Sequence, residues 1–145
     1  MGINLIRLLC VVSLGFFVAC GEDNDPIYRC EVANPSGAGT ELKICFDYEL
    51  SPLGATQADT FEGQCTAQGG VWAKDASCSV SAGQRGCKLD TGLVTFTTWY
   101  TGDGYTNEFW GLDTDSNGKD FEQETKEGCE SSEGDDPAGQ WITKS

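Results

Sequence analysis

Apolar and polar residues alternate in several short stretches of the chain, and such alternation predicts β-strands. In the segment 41–50 every second residue is apolar, namely Leu42, Ile44, Phe46 and Tyr48. The segments 28–32 and 71–73 are further short strand candidates. Between them, 56–67 carries Ala58, Phe61 and Cys65 on one helical stripe and is followed by two glycines, which predicts a helix that ends there.

The second half of the chain repeats this order of elements. The corresponding segments are 30–32 and 87–89, 42–48 and 93–100, 61–65 and 121–129, and 70–72 and 139–142. Each half, 28–80 or 85–143, would contain a cysteine, a strand, a helix that ends in a cysteine, and a strand that carries a tryptophan. Chance similarity among glycine, cysteine and aromatic residues is the alternative. The predicted fold is a small disulfide-rich α+β domain, with an antiparallel sheet and one or two short helices.

Tryptophan is the largest apolar side chain, and it usually belongs to the core of a domain this small. We therefore expect Trp72, Trp99 and Trp141 to anchor the core. Trp110 stands beside Gly111 in a stretch that resembles a loop. It is the one tryptophan that we expect to be exposed.

The first 19 residues have the pattern of a signal peptide. Arg7 precedes an apolar run over 8–18, which is about half the roughly 20 residues that a membrane-spanning helix needs. We therefore expect residues 1–19 to be removed. A domain over 28–145 would then follow an acidic tether over 20–27.

The signal peptide ends in Phe17-Val18-Ala19-Cys20. This sequence resembles the lipobox of bacterial lipoproteins, in which a large apolar residue and two small or aliphatic residues precede a cysteine. The resemblance implies that Cys20 becomes the acylated first residue of the mature chain and anchors it to the membrane. In such lipoproteins an aspartate directly after the acylated cysteine favours the inner membrane. This chain has Gly21 there, which points to the outer membrane, with the domain facing the periplasm or the cell surface. A secreted protein without an anchor is the alternative.

Six cysteines remain once Cys10 in the signal peptide and Cys20 at the anchor are set aside. An even number in an exported chain predicts three disulfides, in one of many connectivities. The six are Cys30, Cys45, Cys65, Cys78, Cys87 and Cys129. A real repeat would pair Cys30 with Cys65 and Cys87 with Cys129, and would leave Cys45 for Cys78. The chain has no histidine and no C-x-x-C pair, which opposes a zinc site.

Residues 113–124 match the calcium-loop pattern D-x-[DN]-x-[DN]-G-x5-E at every fixed position. The segment resembles the loop of EF-hand proteins and of their extracellular single-loop relatives. The resemblance implies calcium as a cofactor. Its ligands would be Asp113, Asp115, Asn117, the carbonyl of Lys119 and, bidentately, Glu124. Asp120 departs from the pattern, because the eighth position is usually aliphatic. A solvated acidic turn is the alternative.

Charge and composition exclude several functions. Without Arg7 the mature chain has 8 basic residues against 23 acidic ones, a net charge of 8 − 23 = −15, so it would repel nucleic acid. The absence of histidine excludes Ser-His-Asp and Cys-His catalysis. We expect a non-catalytic binding or structural module with an unidentified protein or glycan partner. The alternatives are a calcium-dependent adhesion or sensing module and, third, a hydrolase of an envelope polymer. The hydrolase would use paired carboxylates such as Asp135 and Asp136, or Glu122 and Glu124.

Overall fold

The computed structural model describes residues 25–33, 42–113, 116–131 and 137–145. Within them, six strands form one antiparallel sheet: β1 (Ile27–Ala33), β2 (Lys43–Leu50), β3 (Val71–Lys74), β4 (Arg85–Asp90), β5 (Val94–Tyr100) and β6 (Gln140–Thr143). A 3-10 turn (Gly54–Gln57) leads into α1 (Ala58–Ala67), and α2 (Asn107–Trp110) and α3 (Phe121–Glu130) follow in the second half. The predicted disulfide-rich α+β fold is confirmed. The described residues add one short helix, α2, to the one or two predicted.

The strand order β3-β1-β2-β5-β4-β6 is symmetric about its centre. The first three strands come from the first half of the chain and the last three from the second. Trp72 lies opposite Cys30 in the first half, and Trp141 lies opposite Cys87 in the second. The two halves therefore share one topology and are joined through the pairing of β2 with β5.

Three disulfides connect these elements. Cys30–Cys65 joins β1 to α1, and Cys87–Cys129 joins β4 to α3 in the equivalent place. Cys45–Cys78 joins β2 to the segment that follows β3. The pairing is the one that the repeat implied.

A glycine lies directly under each of the two equivalent disulfides. A Cβ on Gly70 would come within 2.8 Å of the Cys65 sulfur, and a Cβ on Gly139 within 2.9 Å of the Cys87 sulfur. The N–H of Gly70 donates to the Cys65 carbonyl at 2.9 Å, and the N–H of Gly139 donates to the Cys129 carbonyl at 2.9 Å. Each helix thus reaches the sheet only because the chain below its disulfide has no side chain.

Both helices pack on the same face of the sheet. In the first half the ring of Phe61 on α1 lies 4.9 Å from that of Tyr48 on β2. The buried core at this end consists of Tyr28, Leu50 and Val94, with Trp72 packed against it. In the second half the disulfide of Cys129 bonds α3 to β4. Tyr48 pairs with Phe96, and Tyr100 lies four residues further along β5, so Tyr100 and Tyr48 are on the same face of the sheet.

The opposite face is crossed by residues 75–84, which connect β3 near one edge to β4 near the other. The carboxylate of Asp47 on β2 holds this connection by accepting the N–H of Cys78 at 2.6 Å and the indole N–H of Trp99 at 3.1 Å. Burial raises the pKa of Asp47, although the two hydrogen bonds oppose the shift. The connection is therefore fixed by a disulfide and by a partly buried acceptor on the same strand.

The tryptophan predictions have mixed outcomes. Trp72, Trp99 and Trp141 are partly buried, and each packs on the sheet. The prediction that Trp110 is exposed is wrong, because only 2% of it is accessible. Residues 107–110 form a one-turn helix that turns the indole towards the sheet.

The predicted signal peptide over 1–19 lies outside the described residues, as does most of the tether over 20–27. β1 begins at Ile27, one residue before the predicted start of the domain. In the described part of the chain, every helix is too short or too polar to cross a bilayer.

We expect Gly70→Ala and Gly139→Ala to lower the free energy of unfolding by about 1–3 kcal/mol each, because the new methyl group would overlap a disulfide. Gly63→Ala in α1 and Gly128→Ala in α3 are the controls, because a Cβ there meets no atom within 4 Å. These should raise stability by about 0.5–1 kcal/mol. Urea unfolding of the oxidised proteins measures all four. Equal effects in the two sets would contradict the role assigned to Gly70 and Gly139.

Candidate functional site

The predicted calcium loop follows α2 and ends in the first turn of α3, and most of it lies on the longer of the two equivalent connections. In the first half, residues 51–57 lead from β2 to α1, whereas in the second half 101–120 lead from β5 to α3. Asp120, which departs from the usual pattern, is the N-cap of α3 and accepts the N–H of Gln123 at 2.7 Å. It therefore starts the helix that carries Glu124.

Three of the five predicted ligand residues lie together in the described part of the loop. The carboxylate of Asp113 accepts the N–H of Asn117 at 3.2 Å and that of Gly118 at 3.0 Å. The turn uses a positive φ of 82° at Gly118, which glycine adopts without strain. The Asn117 amide nitrogen donates to the Glu124 carboxylate at 2.5 Å. Asp113, Asn117 and Glu124 thus form one group of oxygen-bearing side chains.

Lys119 places its main chain and its side chain in different directions. Its N–H donates to the Asn117 amide oxygen at 2.8 Å. Its ammonium group pairs with Glu127 at 2.5 Å on the exposed side of α3. Hydrogen bonds from Lys119 and then Gln123 lower the pKa of Glu127. The ammonium group of Lys119 therefore points to α3. The atom of Lys119 that the calcium-loop pattern assigns as a ligand is its main-chain carbonyl oxygen.

The predicted ligands would form a calcium site only if all five of them coordinate the ion. Asp115, the fourth predicted side chain, lies outside the described residues. Among residues that the structure describes, no three acidic, cysteine or histidine side chains are placed to hold a metal. The proposed set also contains an amide and a main-chain carbonyl, which are ordinary calcium ligands. An ion between Asn117 and Glu124 would require the amide to turn its oxygen towards the carboxylate.

A group of six rings, the aromatic cluster, packs beneath the loop. Its members are Tyr100, Tyr105, Phe109, Trp110, Phe121 and Trp141. Trp110 precedes the loop and Phe121 is its ninth residue, and their ring centroids lie 5.5 Å apart. The N–H of Phe121 also donates to the Leu112 carbonyl at 2.8 Å. The two ends of the loop are therefore held together by packing and by a main-chain hydrogen bond.

The phenol groups of Tyr100 and Tyr105 are both partly buried in the cluster. Burial raises the pKa of Tyr100, and burial together with Tyr100 raises the pKa of Tyr105 to about 12. Both phenols therefore stay neutral at physiological pH. The cluster adds rigid apolar surface beneath the loop and no group that titrates near pH 7.

Arg85 connects β4 to the loop, although no sequence motif singles it out. Its guanidinium lies 5.2 Å from the centroid of the Trp110 ring. Its Nε donates to the Glu122 carboxylate at 2.6 Å, with only 18% of the arginine side chain exposed. Glu122 occupies the tenth position of the loop. The only sequence signal was the alternation of β4, which would have placed Arg85 on the same face as Cys87.

The remaining predicted site residues have simpler outcomes. Cys20 lies outside the described residues, and all six other mature-chain cysteines form disulfides.

A cleft of about 630 Å³ lies beside the end of α3. The described residues that line it are Cys87, Leu89, Thr91, Phe96, Gly128, Cys129, Ser131 and Pro137. None of these carries a carboxylate or an amine.

We expect Arg85→Met to lower the free energy of unfolding by about 1–3 kcal/mol, because Glu122 would lose a partly buried partner and Trp110 its cation. Lys119→Met is the matched control. It removes an exposed ion pair and should have little or no effect. Urea unfolding at low and at high salt measures both. Equal losses would mean that the contact with Trp110 and Glu122 contributes nothing beyond a surface charge pair.

Comparison with known proteins does not place the chain in a family. The chain matches no protein-family model, no curated protein and no solved structure. Functional conclusions therefore depend on the residues of the chain and on their arrangement.

Proposed function

We propose that the chain is a lipid-anchored lipoprotein of the bacterial cell envelope, held in the outer membrane, where it acts as a non-catalytic binding or structural module. The observation that carries the proposal is the set of three disulfides. Disulfides form and persist in oxidising compartments, outside the cytoplasm. A lipobox-like sequence that ends at Cys20 accounts for how an exported chain would stay at the membrane.

The proposed anchor needs no further membrane element. Each buried methylene of an acyl chain contributes about 0.8 kcal/mol, and two or more chains hold a protein stably. The acidic tether keeps the domain soluble next to the headgroups. The net charge of the mature chain, −15 by the count above, disfavours nucleic acid and leaves a protein or a glycan as the partner class.

Three features support a non-catalytic role. The mature-chain cysteines are used for the anchor and for disulfides, so no thiol nucleophile remains. Asp47, a partly buried carboxylate whose pKa is raised by burial, accepts hydrogen bonds from Cys78 and Trp99 and serves the fold. Glu122, one of the carboxylates considered for hydrolysis, pairs with Arg85. Asp135 and Asp136, the other pair considered, lie outside the described residues.

Substitution of the acylated cysteine tests the proposal. We expect Cys20→Ser to abolish acylation and to move the protein from the membrane fraction to the soluble fraction. Globomycin should cause the unprocessed precursor of the wild-type chain to accumulate. Cys10→Ser is the matched control, because this cysteine lies in the predicted signal peptide and should be dispensable. Processing that is insensitive to globomycin, or a Cys20→Ser protein that stays membrane-bound, would refute the anchor.

A second function is favoured by the loop, namely calcium-dependent adhesion or sensing through residues 113–124. The supporting observation is that the Asp113 carboxylate accepts the main-chain N–H of Asn117, whose side chain in turn contacts Glu124. The aromatic cluster below holds both loop ends, so that closure around an ion would cost little additional chain entropy. Calcium would then order the surface that a partner contacts.

Calcium titration tests this second function. With an affinity of roughly 0.1–1 mM, typical of extracellular modules, calcium at about 10 mM should raise the free energy of unfolding by about 1.4–2.7 kcal/mol. Glu124→Gln should remove the effect. Glu130→Gln, on the same helix but beyond the loop, should keep it. Calorimetry and thermal unfolding, with magnesium for comparison, measure both. No response up to about 10 mM, or an unchanged response in Glu124→Gln, would reject the site.

A further inference from the structure

The first described residues and the calcium loop lie at opposite ends of the sheet. β1 starts at Ile27 opposite Glu49, and the carbonyl of Pro26 accepts the N–H of Leu50. β5 starts beside the same residue, since Leu50 pairs with Val94. We call this the tether end. β5 ends at Tyr100 on the other side of the sheet, from which the chain continues into α2 and the loop.

Two exposed leucines project from the tether end. Leu53 is 75% exposed and Leu93 is 44% exposed. Their turns are in contact: the N–H of Ser51 donates to the Leu93 carbonyl at 3.0 Å, and a Cβ on Gly54 would lie 2.3 Å from the same oxygen. The turns are therefore fixed by main-chain contacts, while their leucine side chains remain in solvent.

The length of the preceding chain limits where this end can lie. Cys20 precedes Asp25 by five residues, and an extended chain of that length spans at most about 18 Å. Asp25 and Leu93 line the same shallow depression. A lipid attached at Cys20 would therefore keep the two leucine turns close to the membrane. Their distance from the hydrocarbon could not exceed about the thickness of one headgroup layer plus the length of the tether.

We propose that the tether end rests on the membrane that carries the anchor, with Leu53 and Leu93 in the lipid interface and the calcium loop facing away. This inference rests on the proposed acylation of Cys20. The occupant is a lipid surface because the tether holds these side chains next to lipid at a high effective concentration, so that weak burial suffices. The loop end then remains open to a partner.

Charge specifies the kind of lipid surface. Three acidic residues, Asp25, Glu49 and Asp90, are among those that line the same depression at the tether end. Anionic headgroups would be repelled by these groups, whereas zwitterionic headgroups offer an ammonium to them. The tether end therefore fits a zwitterionic lipid surface.

Fluorescence quenching tests the orientation. The full mature lipoprotein is reconstituted into zwitterionic vesicles with and without brominated acyl chains, as Leu53→Trp and as Val71→Trp. Val71 is the matched control because it is 63% exposed and lies towards the loop end, opposite Glu31. The four native tryptophans are subtracted with the wild-type protein. We expect brominated lipid to quench most of the added fluorescence at position 53 and to leave that at position 71 unchanged.

The other outcomes overturn the inference in distinguishable ways. Equal quenching at positions 53 and 71, or none at either, in protein that floats with the vesicles would refute the orientation and leave the anchor intact. Protein that does not float with the vesicles would refute the anchor, and the inference with it. Cooperative urea unfolding with a midpoint close to that of the wild type shows that each variant is folded.

Discussion

The structure depends on two disulfides that hold short helices against a sheet. α1 and α3 have ten residues each, and α3 fully buries none of them. Helices of this length are marginal alone, so their stability must come from attachment. The three disulfides close loops of 33 to 42 residues, and in the chain-entropy model each contributes about 4 kcal/mol. The glycines beneath the two equivalent bonds make this attachment sterically feasible.

The symmetry of the sheet makes the difference between its halves informative. Both halves have the same order of strands, the same helix-to-strand disulfide and the same glycine beneath it. They differ in the connection before the helix, which in the second half contains α2, half of the aromatic cluster and most of the loop. A repeat that serves only the fold has no need of such an addition. The added segment is where the proposed binding function would reside, and Arg85 ties it to the sheet that both halves share.

The two ends of the sheet have different chemistry. The tether end combines the exposed Leu53 and Leu93 with three acidic residues, and the loop end combines the acidic loop with the exposed Leu112 and the aromatic cluster. In a domain held at one end by lipid, these differences would assign one end to the membrane and the other to a partner.

The sequence by itself determined most of the elements, because alternation, helical stripes and glycine stops are local patterns. It also indicated the disulfide pairs, since equivalent cysteines in a repeat occupy equivalent places. Tertiary structure decided what depends on residues far apart in the chain. Trp110 looks exposed beside Gly111, yet rings from β5 and β6 bury it. Arg85 and Asp47 are ordinary charged residues until folding brings Glu122 to one and Cys78 and Trp99 to the other. Burial and pairing are properties of these distant neighbours, which no local pattern records.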